Sequence, residues 1–152
     1  MEKRKSNQKV KLSYIGHSLG SLYGRFVFGH LLEFYPHLWS KIEKLNFIAL
    51  SSPHAGCSED PLPIRLGGTI FCGQTGRELM LNDSFNNPFV LQLSLPGSSY
   101  MRALKQFKNL ALYANTAYDT IVGYCTSSMR LLNPHQAMYV CCFFSATFQK
   151  IY

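Results

Sequence analysis

The sequence predicts an α/β fold in which a parallel sheet is flanked by helices. Two observations predict it: strand-like apolar segments alternate with segments of helical period, and a glycine-rich turn joins the first strand to the first helix. A chain of 152 residues, 47% of them hydrophobic and 15% charged, is long enough for one globular domain. It is too short for two substantial ones.

Each element follows from the spacing of apolar residues. The first strand is predicted over Val10 to Ile15, and a helix follows from Leu19 to about Tyr35, where Pro36 ends it. The later elements are a strand over Leu45 to Leu50, a helix from roughly Ser99 to Phe107, and a strand over Leu110 to Ala114.

The chain divides into a domain of residues 9–132 and two flanking segments. Within the domain, residues 51–97 form a long stretch rich in proline and glycine, predicted to be irregular. Because this stretch exceeds ordinary loop lengths, we expect it to be functional, as a lid-like insertion. Residues 133–152 form an atypical C-terminal segment.

Charge does not predict a nucleic-acid partner. The formal net charge is +7, but five basic side chains and one acidic side chain in the first eleven residues supply +4 of it. Such a run is usually solvated, and no nucleic-acid motif accompanies it. We therefore expect residues 1–8 to be a basic, disordered tail.

The five cysteines favour a reducing compartment. Their number is odd and they lack the spacing of a metal site, so neither a disulfide framework nor a bound metal is expected; they are Cys57, Cys72, Cys125, Cys141 and Cys142. The longest apolar stretch, Ala137 to Phe148, is about half of what a bilayer span requires. We expect a cytoplasmic protein with no transmembrane segment, no secretory signal and no cofactor.

The motif Gly16-His17-Ser18-Leu19-Gly20 lies between the first strand and the first helix. Gly-x-Ser-x-Gly in this context is the nucleophile-elbow signature of serine hydrolases. Gly16 and Gly20 are expected where a Cβ would clash, and the Leu19 N–H is the candidate oxyanion donor at the helix N-terminus. His17 is expected to pack away from the serine hydroxyl.

A serine nucleophile also needs a histidine and a carboxylate, which follow it in the order Asp, His in this fold. Asp119 comes just after the third strand and is the preferred acid, with a local turn hydrogen bond as the alternative interpretation. Asp60 is the runner-up, and Asp83 is expected to be an N-cap or turn residue. Only His135 follows Asp119, although the interval is short for a helix, a strand and a loop.

His54 follows the second strand in the segment Ser51 to Gly56. Since the carboxyl ends of parallel strands line one crevice, it is expected near Ser18 without acting as its base. A structural hydrogen bond is favoured over a catalytic role.

Five segments together resemble the serine esterases, or lipase-like domains, of the α/β-hydrolase superfamily over about residues 9–130: Gly16–Arg25, Ser52–Gly56, Gly73–Leu79, Leu112–Asn115 and Asp119–Cys125. This resemblance implies a partial α/β-hydrolase fold and hydrolysis of lipid-like acyl esters through an acyl-serine. It makes Ser18 the nucleophile and Asp119 the acid. A lipid or acyl ester is then the expected partner, and peripheral contact with a lipid surface is compatible with it.

The sequence also departs from the family pattern. Family members carry a His-Gly oxyanion loop and further strands before the serine turn. Neither these features nor the last strand of the fold is expected in this chain. The elbow strand would then lie at a sheet edge. Ser21 stands where the family usually has glycine. Two hypotheses stay open: a serine hydrolase, active or inactive in this chain, and a non-catalytic remnant that serves as a binding module.

Overall fold

The protein contains a four-stranded sheet with the order β1-β2-β3-β4. The computed structural model describes residues 9–57, 73–116, 119, 121–133 and 146–150, the last as backbone. The first three strands are parallel and β4 runs antiparallel to β3. Their bounds are Val10–His17 for β1, Ile42–Leu50 for β2, Asn109–Asn115 for β3 and Ala146–Lys150 for β4. The predicted parallel sheet is confirmed, while β4 was not predicted.

Six helices are found in the described part of the chain: α1 (Gly20–Phe34), α2 (Pro36–Ser40), α3 (Gly73–Leu79), α4 (Phe89–Gln92), α5 (Ser99–Leu104) and α6 (Tyr124–Ser128). The two predicted helices correspond to α1 and α5. Pro36 comes after the end of α1 and is the first residue of α2. At this position the missing backbone N–H of proline costs no hydrogen bond within the helix. The stretch predicted to be irregular contains α3 and α4, so that expectation was wrong in part.

The main core lies between one face of the sheet and the helices α1, α2 and α5. Phe28, Trp39, Phe47 and Phe107 are almost fully buried there and contact one another through their rings. The Trp39 Nε1–H donates a hydrogen bond of 2.8 Å to Gln106, which satisfies its buried polar atom. This cluster fixes α1 over the sheet and thereby the position of its first turn.

A second cluster joins α1 to the end of the predicted lid-like insertion. Leu22 of α1 is buried against Val90 and Leu93, with Phe26 and Phe89 partly buried beside them. The insertion after residue 88 is therefore packed on α1. Its role as a lid stays a prediction.

Strand β1 lies at the edge of the sheet. It pairs with β2 along one side, and Val10 and Ile15 remain 67% and 64% exposed. No helix among those described is long and apolar enough to cross a membrane.

Candidate active site

Ser18 occupies the turn between the end of β1 and the start of α1. Its φ of 51° lies in the left-handed region, which is uncommon for a residue other than glycine and costs free energy. The turn is held from both sides: the Ser18 N–H donates to the Leu50 carbonyl at 2.8 Å, and the Ser18 carbonyl accepts from Ser21 at 3.3 Å. Ser18 is half-buried.

The two glycines of the motif differ. A Cβ on Gly16 would lie 2.6 Å from the Ser21 backbone nitrogen, so the expected clash is confirmed. A Cβ on Gly20 would meet nothing within 4 Å, so the expected clash there was wrong: α1 begins at this residue and the position faces open space. His17 is exposed at the end of β1, which corrects its expected packing role.

Leu19 precedes the first residue of α1. The first amides of a helix have no acceptor within the helix, and the helix dipole favours negative charge beside them. The Leu19 carbonyl accepts from the amides of Leu22 and Tyr23 at 3.0 and 3.1 Å. The Leu19 N–H itself shares a peptide group with the Ser18 carbonyl, so the bond from Ser21 to that carbonyl orients the predicted oxyanion donor.

A buried pair of serines braces the turn from the neighbouring strand. The Ser52 hydroxyl donates to Ser21 Oγ at 2.6 Å, and Ser21 Oγ donates to the Gly16 carbonyl at 2.9 Å. Both serines are at most 1% exposed. The sequence pointed to Ser21 only as a departure from the family's glycine, and the pairing with Ser52 was missed.

Asp119 follows β3, at the same end of the sheet as the turn from β1 into Ser18. Because β1, β2 and β3 are parallel, their carboxyl ends lie side by side at that end of the sheet. The strand before Asp119 is two strands away from the strand before Ser18. One carboxylate oxygen accepts from the amides of Ile121 and Val122 at 3.2 and 2.8 Å. The other accepts from the Asn115 side chain at 3.1 Å. The local turn bonds anticipated as the alternative are thus present, and they also fix the carboxylate.

The remaining acid and base candidates are placed only in part. Asp83 accepts a hydrogen bond of 2.8 Å from the Phe89 amide at the start of α4, but the N-cap residue of that helix is Pro88, so Asp83 is not its N-cap. Asp60 and His135 lie outside the described residues. In the described part of the chain, no three His, Cys, Asp or Glu side chains are grouped as a metal site would require.

His54 is buried beside Arg25 of α1. One Arg25 Nη atom lies 3.3 Å from His54 Nδ1, and the other donates to the Leu93 carbonyl at 2.7 Å and to Ser94 Oγ at 3.0 Å. Since a guanidinium only donates, Nδ1 accepts and Nε2 carries the hydrogen. Burial, and then the charge of Arg25, lowers the pKa of His54 to about 3. This geometry agrees with the structural hydrogen bond that the sequence favoured.

Lowering the pH from 7 to 5 should reduce the free energy of unfolding by about 2 kcal/mol through His54. The unfolded chain takes up a proton below the ordinary pKa of 6.5, whereas the native side chain, with a pKa of about 3, does not. Urea unfolding at both pH values measures this loss. His54→Gln should remove it and His37→Gln, at an exposed histidine, should leave it intact. If His54→Gln still loses about 2 kcal/mol of unfolding free energy between pH 7 and pH 5, the lowered pKa of His54 is not its cause.

The fold and the turn define a class: an α/β protein whose serine sits on a strand-to-helix turn. The chain belongs to the serine esterase family, because its residues 1–129 match the family model described as "Putative serine esterase (DUF676)".

Curated relatives carry lipase names. The chain is 35% identical over 130 residues to "Putative lipase YDL109C" of Saccharomyces cerevisiae, covering 84% of this chain and 20% of the relative. It is 35% identical over 127 residues to "Putative lipase ROG1" of the same yeast, covering 81% and 18%. "Putative lipase C4A8.10" of Schizosaccharomyces pombe is 29% identical over 128 residues, covering 79% and 16%. The chain thus spans about a fifth of these relatives' length. No solved structure matches.

Proposed function

We propose that the chain carries the nucleophile of a serine ester hydrolase that acts on lipid-like acyl esters. The observation that carries the proposal is the left-handed backbone of Ser18 between a parallel strand and a helix, which is the geometry of a nucleophile elbow. The lipase names of the relatives support the substrate class.

In the proposed reaction, Ser18 Oγ attacks the ester carbonyl while its proton passes to a histidine. The Leu19 N–H then donates to the tetrahedral oxyanion, whose charge also benefits from the start of α1. The carbon–oxygen bond to the alcohol breaks, the alcohol leaves with the proton, and an acyl-serine remains. Water cleaves this acyl-serine by the same steps and releases the carboxylic acid.

The acid and base of the proposal are Asp119 and His135. Asp119 is held by three local hydrogen bonds at the carboxyl end of the parallel strands, and the oxygen that accepts only from Asn115 can accept a further bond. His135 retains its assignment from the order of the residues in the sequence alone.

A fluorophosphonate probe should label the chain, and Ser18→Ala should abolish the labelling, because the probe reacts only with an activated serine hydroxyl. Ser51→Ala is the matched control: Ser51 also has a left-handed backbone, with a φ of 43°, and follows the neighbouring strand β2. It should leave labelling unchanged. Mass spectrometry of the labelled peptide locates the adduct.

Two outcomes would tell against catalysis. If the folded chain is not labelled, or if Ser18→Ala is labelled as strongly as the unmodified chain, the binding-module hypothesis replaces the hydrolase. Asp119→Asn and His135→Gln extend the test, since each should slow labelling by at least tenfold if it serves the nucleophile.

A further inference from the structure

Arg25 is a buried cation with no anionic partner in the described part of the chain. It is 4% exposed, and the one ion pair among the described residues joins Lys108 to Glu43. Its acceptors are a carbonyl, a hydroxyl, a thioether sulfur and an imidazole nitrogen, and none of them neutralises its charge. A buried charge without an opposite charge beside it lowers the stability of the fold, because its desolvation is not offset.

Arg25 and His54 each keep one hydrogen-bond donor unused. Arg25 Nε and His54 Nε2 are buried and have no hydrogen-bond partner among the residues that the structure describes. With Nδ1 of His54 facing Arg25, its Nε2 carries the hydrogen, as argued above. Positive charge together with unpaired donors selects an anion over a neutral or cationic ligand.

A cavity of about 770 Å³ adjoins this pair. Arg25 and His54 line it, and most of its wall is apolar, formed by Phe47, Met101, Leu104, Phe107, Leu110 and Leu112. Its volume falls in the range of roughly 300 to 1,000 Å³ that is usual for small-molecule sites. Lys105, which is exposed, also lines it and adds positive charge, whereas the charge of Lys108 is paired with Glu43.

We propose that this cavity binds a long-chain carboxylate, with the carboxylate on Arg25 and the hydrocarbon chain along the apolar wall. A small anion would pair with Arg25 but leave the apolar wall unfilled, whereas a neutral lipid would fill the wall but leave the cation unpaired. Ser18 does not line this cavity. The site therefore goes beyond the proposed esterase centre and does not depend on it.

The test measures binding of oleate and of oleyl alcohol by isothermal titration calorimetry. The full chain carrying Ser18→Ala is used, so that hydrolysis contributes no heat. Oleate should bind at least tenfold more tightly than the alcohol, and Arg25→Met should weaken oleate binding at least tenfold because the charge-assisted hydrogen bonds are lost. Arg102→Met, at an exposed arginine of α5 outside the cavity, should change nothing.

A second variant keeps the test decisive if Arg25→Met fails to fold. Leu110→Trp leaves Arg25 intact and narrows the cavity at a half-buried wall position, so it should weaken oleate binding at least tenfold. Circular dichroism checks that each variant is folded. Absence of oleate binding, equal binding of oleate and alcohol, or oleate binding that survives Leu110→Trp unchanged overturns the proposal.

Discussion

Gly16→Ala should slow fluorophosphonate labelling of Ser18 by roughly 100-fold, the size of effect that a displacement of about 1 Å can have on a reacting group. The added Cβ would lie 2.6 Å from the Ser21 nitrogen and 2.7 Å from the Ser21 Cα. Both are backbone atoms of the first turn of α1, so the clash cannot be relieved by rotating a side chain. The turn must move, and the Ser18 hydroxyl moves with it.

Gly20→Ala is the matched control within the same motif. Its Cβ would meet nothing within 4 Å, and alanine in a helix is favoured over glycine by about 0.5 to 1 kcal/mol. Labelling should be retained and the free energy of unfolding should stay the same or rise. Rates of probe labelling and urea unfolding curves give both quantities. If the two alanine variants behave alike, the Gly16 contact does not control the turn.

Phe47→Ala should lower the free energy of unfolding by about 3 to 5 kcal/mol. Phe47 is 2% exposed, and its ring contacts those of Tyr14, Phe28 and Phe107, with centroids 5.5, 6.3 and 5.7 Å away. Removing it from the centre of the core leaves a cavity between the sheet and α1 that rigid neighbouring rings fill poorly. Equilibrium urea unfolding measures the loss.

Phe85→Ala provides the comparison at a fully exposed phenylalanine. Because its ring is already in water, its loss should change the free energy of unfolding by less than about 0.5 kcal/mol. A loss at Phe47 as small as that at Phe85 would show that the core is not packed around Phe47.

The strands and the first long helix were predictable because their signals are local. Val10 to Ile15 begins with alternating apolar and polar residues, Leu45 to Leu50 is mostly apolar, and α1 carries its apolar residues at helical spacing. The order strand, helix, strand then leads to parallel pairing. The serine turn was predictable for the same reason, since strand, turn and helix lie next to each other in the sequence.

The features that were not predictable depend on contacts between distant segments. Arg25 and His54 are 29 residues apart and Arg25 and Leu93 are 68 apart, so no local pattern indicates that they meet. Gly16 and Gly20 could not be told apart from the motif for another reason: the space beside each glycine depends on how the turn folds back onto Ser21. The antiparallel strand β4 lies beyond residues 1–129, which match the family model.

The position of β1 at the margin of the sheet makes the serine turn sensitive to local opening. Only its β2 side is paired in the described part of the chain, and the Ser18 amide holds its place through one bond to Leu50. Amide hydrogens of β1 should therefore exchange with solvent faster than those of the interior strand β2. Any strand that adds to the outer side of β1 would slow that exchange and lengthen the time Ser18 spends in its left-handed geometry, which couples assembly of the sheet to the proposed nucleophile.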